Sequence, residues 1–308
     1  MTVLAEVVRS GFVESVHTGS YVVLSPSGDI LLEGGDPSRP VFPRSANKPM
    51  QAAGCLERGL EVEPELLAVA SASHSGEQYH VNLVRTLLAS GDVPESALGC
   101  PRALPINEPA AHSVLARGGE AQRITHNCSG KHAAMLVTCA LHGEPLGAYL
   151  DPRSPLQTSI RATVERMTGE TVSHVGVDGC GAPLFALPLT GVARGFSALV
   201  LAEPGTPEAQ VADAMRAHPE AVGGTDRDVT ALIRGVPGLI AKEGAEGVYA
   251  VALPDGTGVA VKIDDGAARA ALPVTLALLR KLGIPTDAVT PPPILGGGNP
   301  VGEIRPVL

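Results

Sequence analysis

The chain has 308 residues, 44% of them hydrophobic and 18% charged, the balance of a globular protein and not of a disordered one. A net charge of -9 argues against nucleic acid or an anionic membrane as the main partner. With 3% aromatic residues and no Trp, the core must be built from Ala, Val, Leu and Ile.

The N-terminus, MTVLAEVVRSG, has no basic segment leading into a long apolar run, so no signal peptide is expected. No apolar run reaches membrane-spanning length. Five cysteines are an odd number without the spacing of a small disulfide scaffold, and a cytoplasmic location is expected. Strand signals open the chain, over residues 3–8 and 12–17. Residues 21–24 and 30–33 flank the hairpin turn SPSGD. Helices are predicted over 50–58, 64–70, 78–89, 132–141, 155–167, 207–217 and 226–233. Strands return over 248–253 and 258–263, around PDGT. A last helix over 267–282 contains Pro273, which would kink or restart it. The stretch PPPILGGGNP, 291–300, reads as a terminal loop or a segment lining a cleft. The expected class is α+β: one antiparallel sheet built from both chain ends and covered by helices, plus a helical lobe from the middle. The single domain, 1–308, would have a sheet lobe of about 1–45 and 236–308 and a mainly helical lobe of about 46–235.

Four constellations carry chemistry. Ser45 and Lys48 stand three residues apart at a predicted helix start, close enough for an amine to reach the hydroxyl. A serine needs a base to become a nucleophile, and a lysine serves if burial and neighbouring cations favour its neutral form. The plain alternative is an N-cap serine beside a solvated lysine. Pro49 disfavours helical geometry at Lys48 and suggests a distorted turn. In ASASHSGEQYH, 70–80, Ser71, Ser73, His74 and Ser75 offer either helix capping or a second hydroxyl for proton relay. Lys242-Glu243-Gly244 precedes a strand, and in the order Ser-x-x-Lys, serine turn, Lys-x-Gly the set matches the layout of penicillin-recognising enzymes, although the serine turn itself has no Ser-x-Asn. Finally, HNCSGKH (126–132) and VDGCGAP (177–183) place Cys128 and Cys180 in polar, Gly-flanked turns. Gly130-Lys131 is not a phosphate loop, since Thr125 and His132 occupy its key positions. Cys128 beside Lys131 and His132 offers a thiolate, or Cys128, Lys131, His132 and Cys180 gather around a soft metal such as zinc. Cys55, Cys100 and Cys139 read as small buried hydrophobes.

Together RSANKP, ASHS, NCSGKH, VDGC and AKEG resemble the motifs of the rhizobial-type L-asparaginases, or asparaginase II, over nearly the whole chain to about Pro306. The resemblance implies a serine β-lactamase/glutaminase-like fold, usually a homodimer, and hydrolysis of L-asparagine to L-aspartate and ammonia. It implies Ser45 with Lys48 as one Ser-Lys pair and Ser73 with Lys242 as a second. It implies Cys128, Lys131 and Cys180 as a metal site, normally zinc, in an orienting role beside the substrate. Arg44, Asn127, His132 and Asp178 sit in the same motifs and would line the pocket, with Arg44 for the α-carboxylate and Asp178 for the α-ammonium. Nothing is assigned to Glu243 or Lys262, and no nucleotide cofactor is expected. The expected mechanism has neutral Lys48 deprotonate a serine, which forms an acyl-enzyme. The rival readings are a glutaminase or another small-molecule amidase of the same fold, a zinc-binding protein without turnover, and a thiol hydrolase using Cys128 and His132.

Overall fold

The computed structural model describes residues 2–308. Its strands are β1 (Thr2–Arg9), β2 (Phe12–Leu24), β3 (Ile30–Gly34), β4 (Pro40–Val41), β5 (His174–Val177), β6 (Pro183–Pro188), β7 (Ile240–Gly244), β8 (Val248–Ala252), β9 (Gly258–Ile263), β10 (Ile294–Gly296) and β11 (Asn299–Pro306). The helices are α1 (Lys48–Glu57), α2 (Pro64–Ala70), α3 (Gln78–Ala89), α4 (Glu108–Ala116), α5 (Ser129–Leu141), α6 (Pro155–Thr168), α7 (Leu189–Leu201), α8 (Pro207–Ala217), α9 (Pro219–Val222), α10 (Asp228–Gly235) and α11 (Ala268–Lys281).

Both chain ends build one antiparallel sheet in the order β10-β11-β1-β2-β9-β8-β7, and β3 pairs with the far half of β2. The fold is therefore the expected α+β arrangement, with helices between the two sets of strands. Residues 12–17 and 21–24 join into a single strand. The polar interval between them is extended because β9 crosses it closely: a Cβ on Gly19 would lie 2.1 Å from Lys262 O. Every residue of β8 and all but one of β9 are buried, which requires cover on both faces, and α7 and α11 both pack against these strands. Helix α7 has no counterpart among the predicted elements. Its Gly191 and Gly195 depress helix propensity, yet both are contact points: a Cβ there would meet Glu170 Cγ and Met50 Sδ.

Two expectations are corrected. The segment 291–300 is not a terminal loop, although its Pro292 does line a cleft beside α10 and α11. It forms β10 and turns through Gly297 and Gly298, at φ of 57° and 82°, into β11, which pairs with β1. Two consecutive positive φ values suit a tight hairpin and need glycine. Pro273 does not restart the last helix as a separate element: α11 runs unbroken from Ala268 to Lys281 with Pro273 buried inside it.

Strands from distant parts of the chain also form a small sheet, β4-β6-β5. It matters for function, because β4 leads toward Arg44 and β5 ends at Val177, one residue before Asp178. In the helical part, α1 lies close on α6, where a Cβ on Gly54 would meet Ile160 Cα at 3.1 Å. Among the described residues no helix is long and apolar enough to cross a membrane, and all five cysteines are free and buried.

Candidate active site

Ser45 sits in a 3-10 turn, Arg44–Asn47, that runs into α1. Its hydroxyl caps neither element, so the plain reading of an N-cap serine is not what the chain forms. Lys48 has helical angles, φ -60° and ψ -38°, and Pro49 is accommodated in the first turn of α1. The strained residue is Arg44, at φ 53°. Gly244 at the end of β7 explains why a glycine follows the Lys-Glu pair: a Cβ there would lie 2.5 Å from Pro43 O and 3.4 Å from Ala46 N. The strand is pressed against the serine turn.

Lys48 is buried, and its Nζ donates to Ser73 Oγ (3.0 Å) and Ala72 O (2.5 Å). The resemblance pairs Lys48 with Ser45, whereas the hydrogen bond pairs it with Ser73. A buried ammonium must find acceptors, and the turn after α2 offers a carbonyl and a hydroxyl, while Ser45 stays half-buried nearer the surface. That turn is clamped in place. Ser73 N–H donates to Val222 O (3.1 Å), His74 N–H to Asn127 O (3.2 Å), and the His74 Nε2 and Ser129 Oγ are 2.9 Å apart. Gly76 comes so close to the strand of chain before α5 that a Cβ would lie 2.8 Å from Thr125 O.

Lys242, on β7, is fully buried, with Nζ 3.0 Å from both Glu243 O and Glu243 Oε1. Burial pushes its ammonium down to about 8; Glu243 opposes the push and the Lys48 charge adds to it. The pairing of Lys242 with Ser73 implied by the resemblance is not made by a hydrogen bond.

The thiol side adjoins this cluster. Cys128 stands at the start of α5, and Gly130 behind it packs on α2, where a Cβ would meet Val69 O at 2.1 Å. Cys128 and Cys180 share a hydrogen bond that draws the Cys128 thiol well below its ordinary value, against burial, with the Lys48 and Lys131 charges helping. The same bond, with burial, raises Cys180. Lys131 Nζ donates to Cys180 Sγ (3.2 Å); burial works against its ammonium, but the Cys180 and Cys128 charges prevail and raise it. Cys128 Sγ also lies 3.4 Å from Asn127 Oδ1. His132 is fully buried with Nδ1 2.6 Å from the Tyr149 hydroxyl, which accepts from Gly99 N–H (2.7 Å). Burial pushes its imidazole down to about 4, so it is neutral, and Nε2 has no hydrogen-bond partner among the described residues. Among the described residues no group of three or more His, Cys, Asp and Glu side chains is arranged to hold a metal ion; the cluster here is two cysteines and a lysine.

Arg44 and Asp178 meet each other, Nε donating to Oδ1 at 2.8 Å. Burial would raise the Asp178 carboxyl, but Lys131 and Arg44 hold it below the usual carboxylate range. A cleft of about 510 Å³ opens beside the pair, walled by Phe42, Val177, Leu184, Glu246 and Lys262 as well as Arg44, but by neither Ser45 nor Ser73.

Two residues escaped the motif reading. Asn47 lies between Ser45 and Lys48, fully buried, with neither amide atom hydrogen-bonded among the described residues. Its position inside RSANKP was the available signal. Tyr149, which anchors His132, carries no motif at all.

No curated protein matches the chain. Among solved structures, a β-lactamase from Mycobacterium bovis is similar at a TM-score of 0.47 with 16% identity, over 86% of this chain and 94% of that one. A Bacillus glutaminase is similar at 0.44 with 13% identity, over 86% and 91%. A structure of Mglu is similar at 0.47 with 14% identity, over 87% of this chain and 62% of that one. A sequence model described as L-asparaginase II matches residues 5–306. With that match over nearly its whole length, and with the buried Ser-Lys and Cys-Lys-Cys clusters in the motifs that suggested it, the chain belongs to the L-asparaginase II family.

Proposed function

We propose that this amidohydrolase acts on the side-chain amide of L-asparagine, releasing L-aspartate and ammonia through a covalent acyl-enzyme. The observation that carries the reading is the 3.0 Å bond from Lys48 Nζ to Ser73 Oγ, in a buried site where a second lysine, Lys242, is pushed to about 8. We assign Ser45 as the nucleophile: it is the more accessible of the two serines and lies at the N-terminal end of α1, whose dipole favours an alkoxide. Ser73, held by Lys48, relays protons. The base is Lys242 in place of the expected Lys48, because Lys242 reaches its neutral form near pH 8 while Lys48 Nζ is committed as a donor to Ala72 O and Ser73 Oγ. Ser45 Oγ attacks the carboxamide carbon as its proton passes to Lys242. That proton leaves with ammonia, and water then opens the ester.

Arg44 would hold the α-carboxylate with the guanidinium nitrogens not used on Asp178, and Asp178 Oδ2 the α-ammonium. Asn127 and the unpartnered His132 Nε2–H would line the same pocket. Cys128, Lys131 and Cys180 fit a borderline-soft ion such as zinc, since two sulfurs and an amine meet at one point; Lys131 must first surrender its proton. The ion would supply fixed positive charge that orients the amino-acid end of the substrate. A homodimer is proposed on the family resemblance.

The test is ammonia release from L-asparagine and from L-glutamine by the native chain, Ser45→Ala and Ser73→Ala. Release from asparagine that Ser45→Ala abolishes supports the assignment. Faster release from glutamine moves the substrate, and full activity in Ser45→Ala removes the nucleophile.

A further inference from the structure

Beside Lys242 lies a charged pair to which the family motifs assign nothing. Glu243 follows Lys242 along β7, so the two side chains leave the strand toward opposite faces. Lys242 Nζ nevertheless folds back to 3.0 Å from Glu243 Oε1. The same carboxylate oxygen lies 3.1 Å from an Arg227 guanidinium nitrogen, at the residue before α10. Glu243 Oε2 is buried and without a hydrogen-bond partner among the described residues. One oxygen thus serves two cations while the other serves none. Lys242 Nζ spends its contacts on Glu243 and none on Ser45 or Ser73.

We propose that Glu243 and Arg227 are positioning residues for Lys242: Glu243 holds its ammonium back from the serines, and Arg227 weakens that hold by competing for the same oxygen. The inference rests on the reading of Lys242 as the base. It goes beyond that reading by naming what sets the pH at which the base becomes available.

The surroundings leave few other charges to account for. Lys48 reaches Lys242 from α1 and favours its neutral form. Asp228, at the start of α10, has its carboxyl raised by burial and by the Glu243 charge, which limits its pull on the lysine. Tyr249 faces Glu243 across the β7–β8 register, and burial raises its phenol far above neutrality, so it stays uncharged. On α8, which also packs on β7, Arg216 is turned to Gly238 O, and Arg44 in the serine turn is held by Asp178. Glu243 itself is kept ionised: burial favours its neutral form, but the Lys242 and Arg227 charges outweigh it.

The signs then separate. Glu243→Gln removes the anion that favours the ammonium, so Lys242 should lose its proton at a lower pH, by about one unit for a charge at this distance. Arg227→Gln leaves Glu243 to Lys242 alone, so Lys242 should lose its proton at a higher pH, by less. A merely structural pair would move both variants the same way or neither.

The direct readout is a ¹³C NMR titration of the Lys242 Cε carbon in lysine-labelled full-length chain, with the signal assigned by its absence in Lys242→Met. The pH profile of kcat/KM for L-asparagine is read in parallel. Midpoints displaced downward in Glu243→Gln and upward in Arg227→Gln support the proposal. Unmoved midpoints, or shifts in one common direction, overturn it. Each variant is judged alone if the other does not fold, since either displacement has its own sign. The titration does not require turnover: a native chain inert on asparagine defeats the functional reading and leaves this result standing, while an active chain with unmoved midpoints defeats only this inference.

Discussion

Lys242 and Lys131 are the same residue type, both buried, in adjoining halves of one site, yet they are driven in opposite directions. Burial takes Lys242 down to about 8, because its surroundings are a second lysine, a carbonyl and one carboxylate already shared with Arg227. Lys131 is raised, because two sulfurs that share a proton face it and Asp178 lies nearby. Desolvation penalises the charge in both places, and the local counter-charge decides the outcome. The serine half is thereby suited to moving a proton and the thiol half to holding fixed charge.

The sharpest way to break that comparison is to remove each lysine in turn. Lys242→Met should lower kcat for asparagine by about three orders of magnitude, the range expected for losing a general base with its proton relay. It should leave the content of the proposed zinc ion, measured by elemental analysis, unchanged. Lys131→Met should do the reverse, losing zinc and raising KM more than it lowers kcat. Equal loss of kcat in both would mean that the halves do not divide the work this way.

A smaller effect is expected where the two backbones touch. Gly244→Ala places a Cβ 2.5 Å from Pro43 O, so the serine turn must shift away from β7. A displacement approaching 1 Å at a nucleophile lowers kcat by about 10²-fold. The temperature of thermal unfolding should fall as well, because the atom that must give way is backbone and the turn's Ala46 and Asn47 are fully buried. A kcat equal to that of the native chain would show that Ser45 needs no such placement.

The smallest effect belongs to Tyr149→Phe. It deletes the hydroxyl that meets His132 Nδ1 and accepts from Gly99 N–H, and should destabilise the chain by about 1–3 kcal/mol through those two orphaned groups. Denaturant titration reads this. If His132 orients substrate, KM should rise as well; a stability loss with constant KM would confine His132 to packing.

How much of this could be read from the residues differs from element to element. Helices α2, α3 and α8 run where their apolar spacing predicts, α2 and α8 starting at a proline. Helix α7 could not be read, because its two glycines look like breakers until the neighbours that need the space are known. Segment 291–300 looked like loop for the same reason: consecutive glycines mark flexibility in sequence and a tight hairpin in space. In the site, the residues Ser45, Lys48, Ser73, Cys128, Lys131, Cys180 and Lys242 were all legible as motifs. Their pairing was not, because Lys48 turns to Ser73, a contact between residues separated by two helices' worth of chain.

By itself the sequence determined which chemical groups are present and the local backbone that carries them: a serine three residues before a lysine, cysteines in Gly-flanked turns, strands at both ends. Those follow from short-range sterics and spacing, which a linear chain displays. Only the tertiary structure decided that Arg44 faces Asp178, that Glu243 stands between Lys242 and Arg227, and which of two buried lysines is eased toward neutrality. Proton affinity depends on the charges within a few ångströms, and those charges come from parts of the chain that only folding brings together.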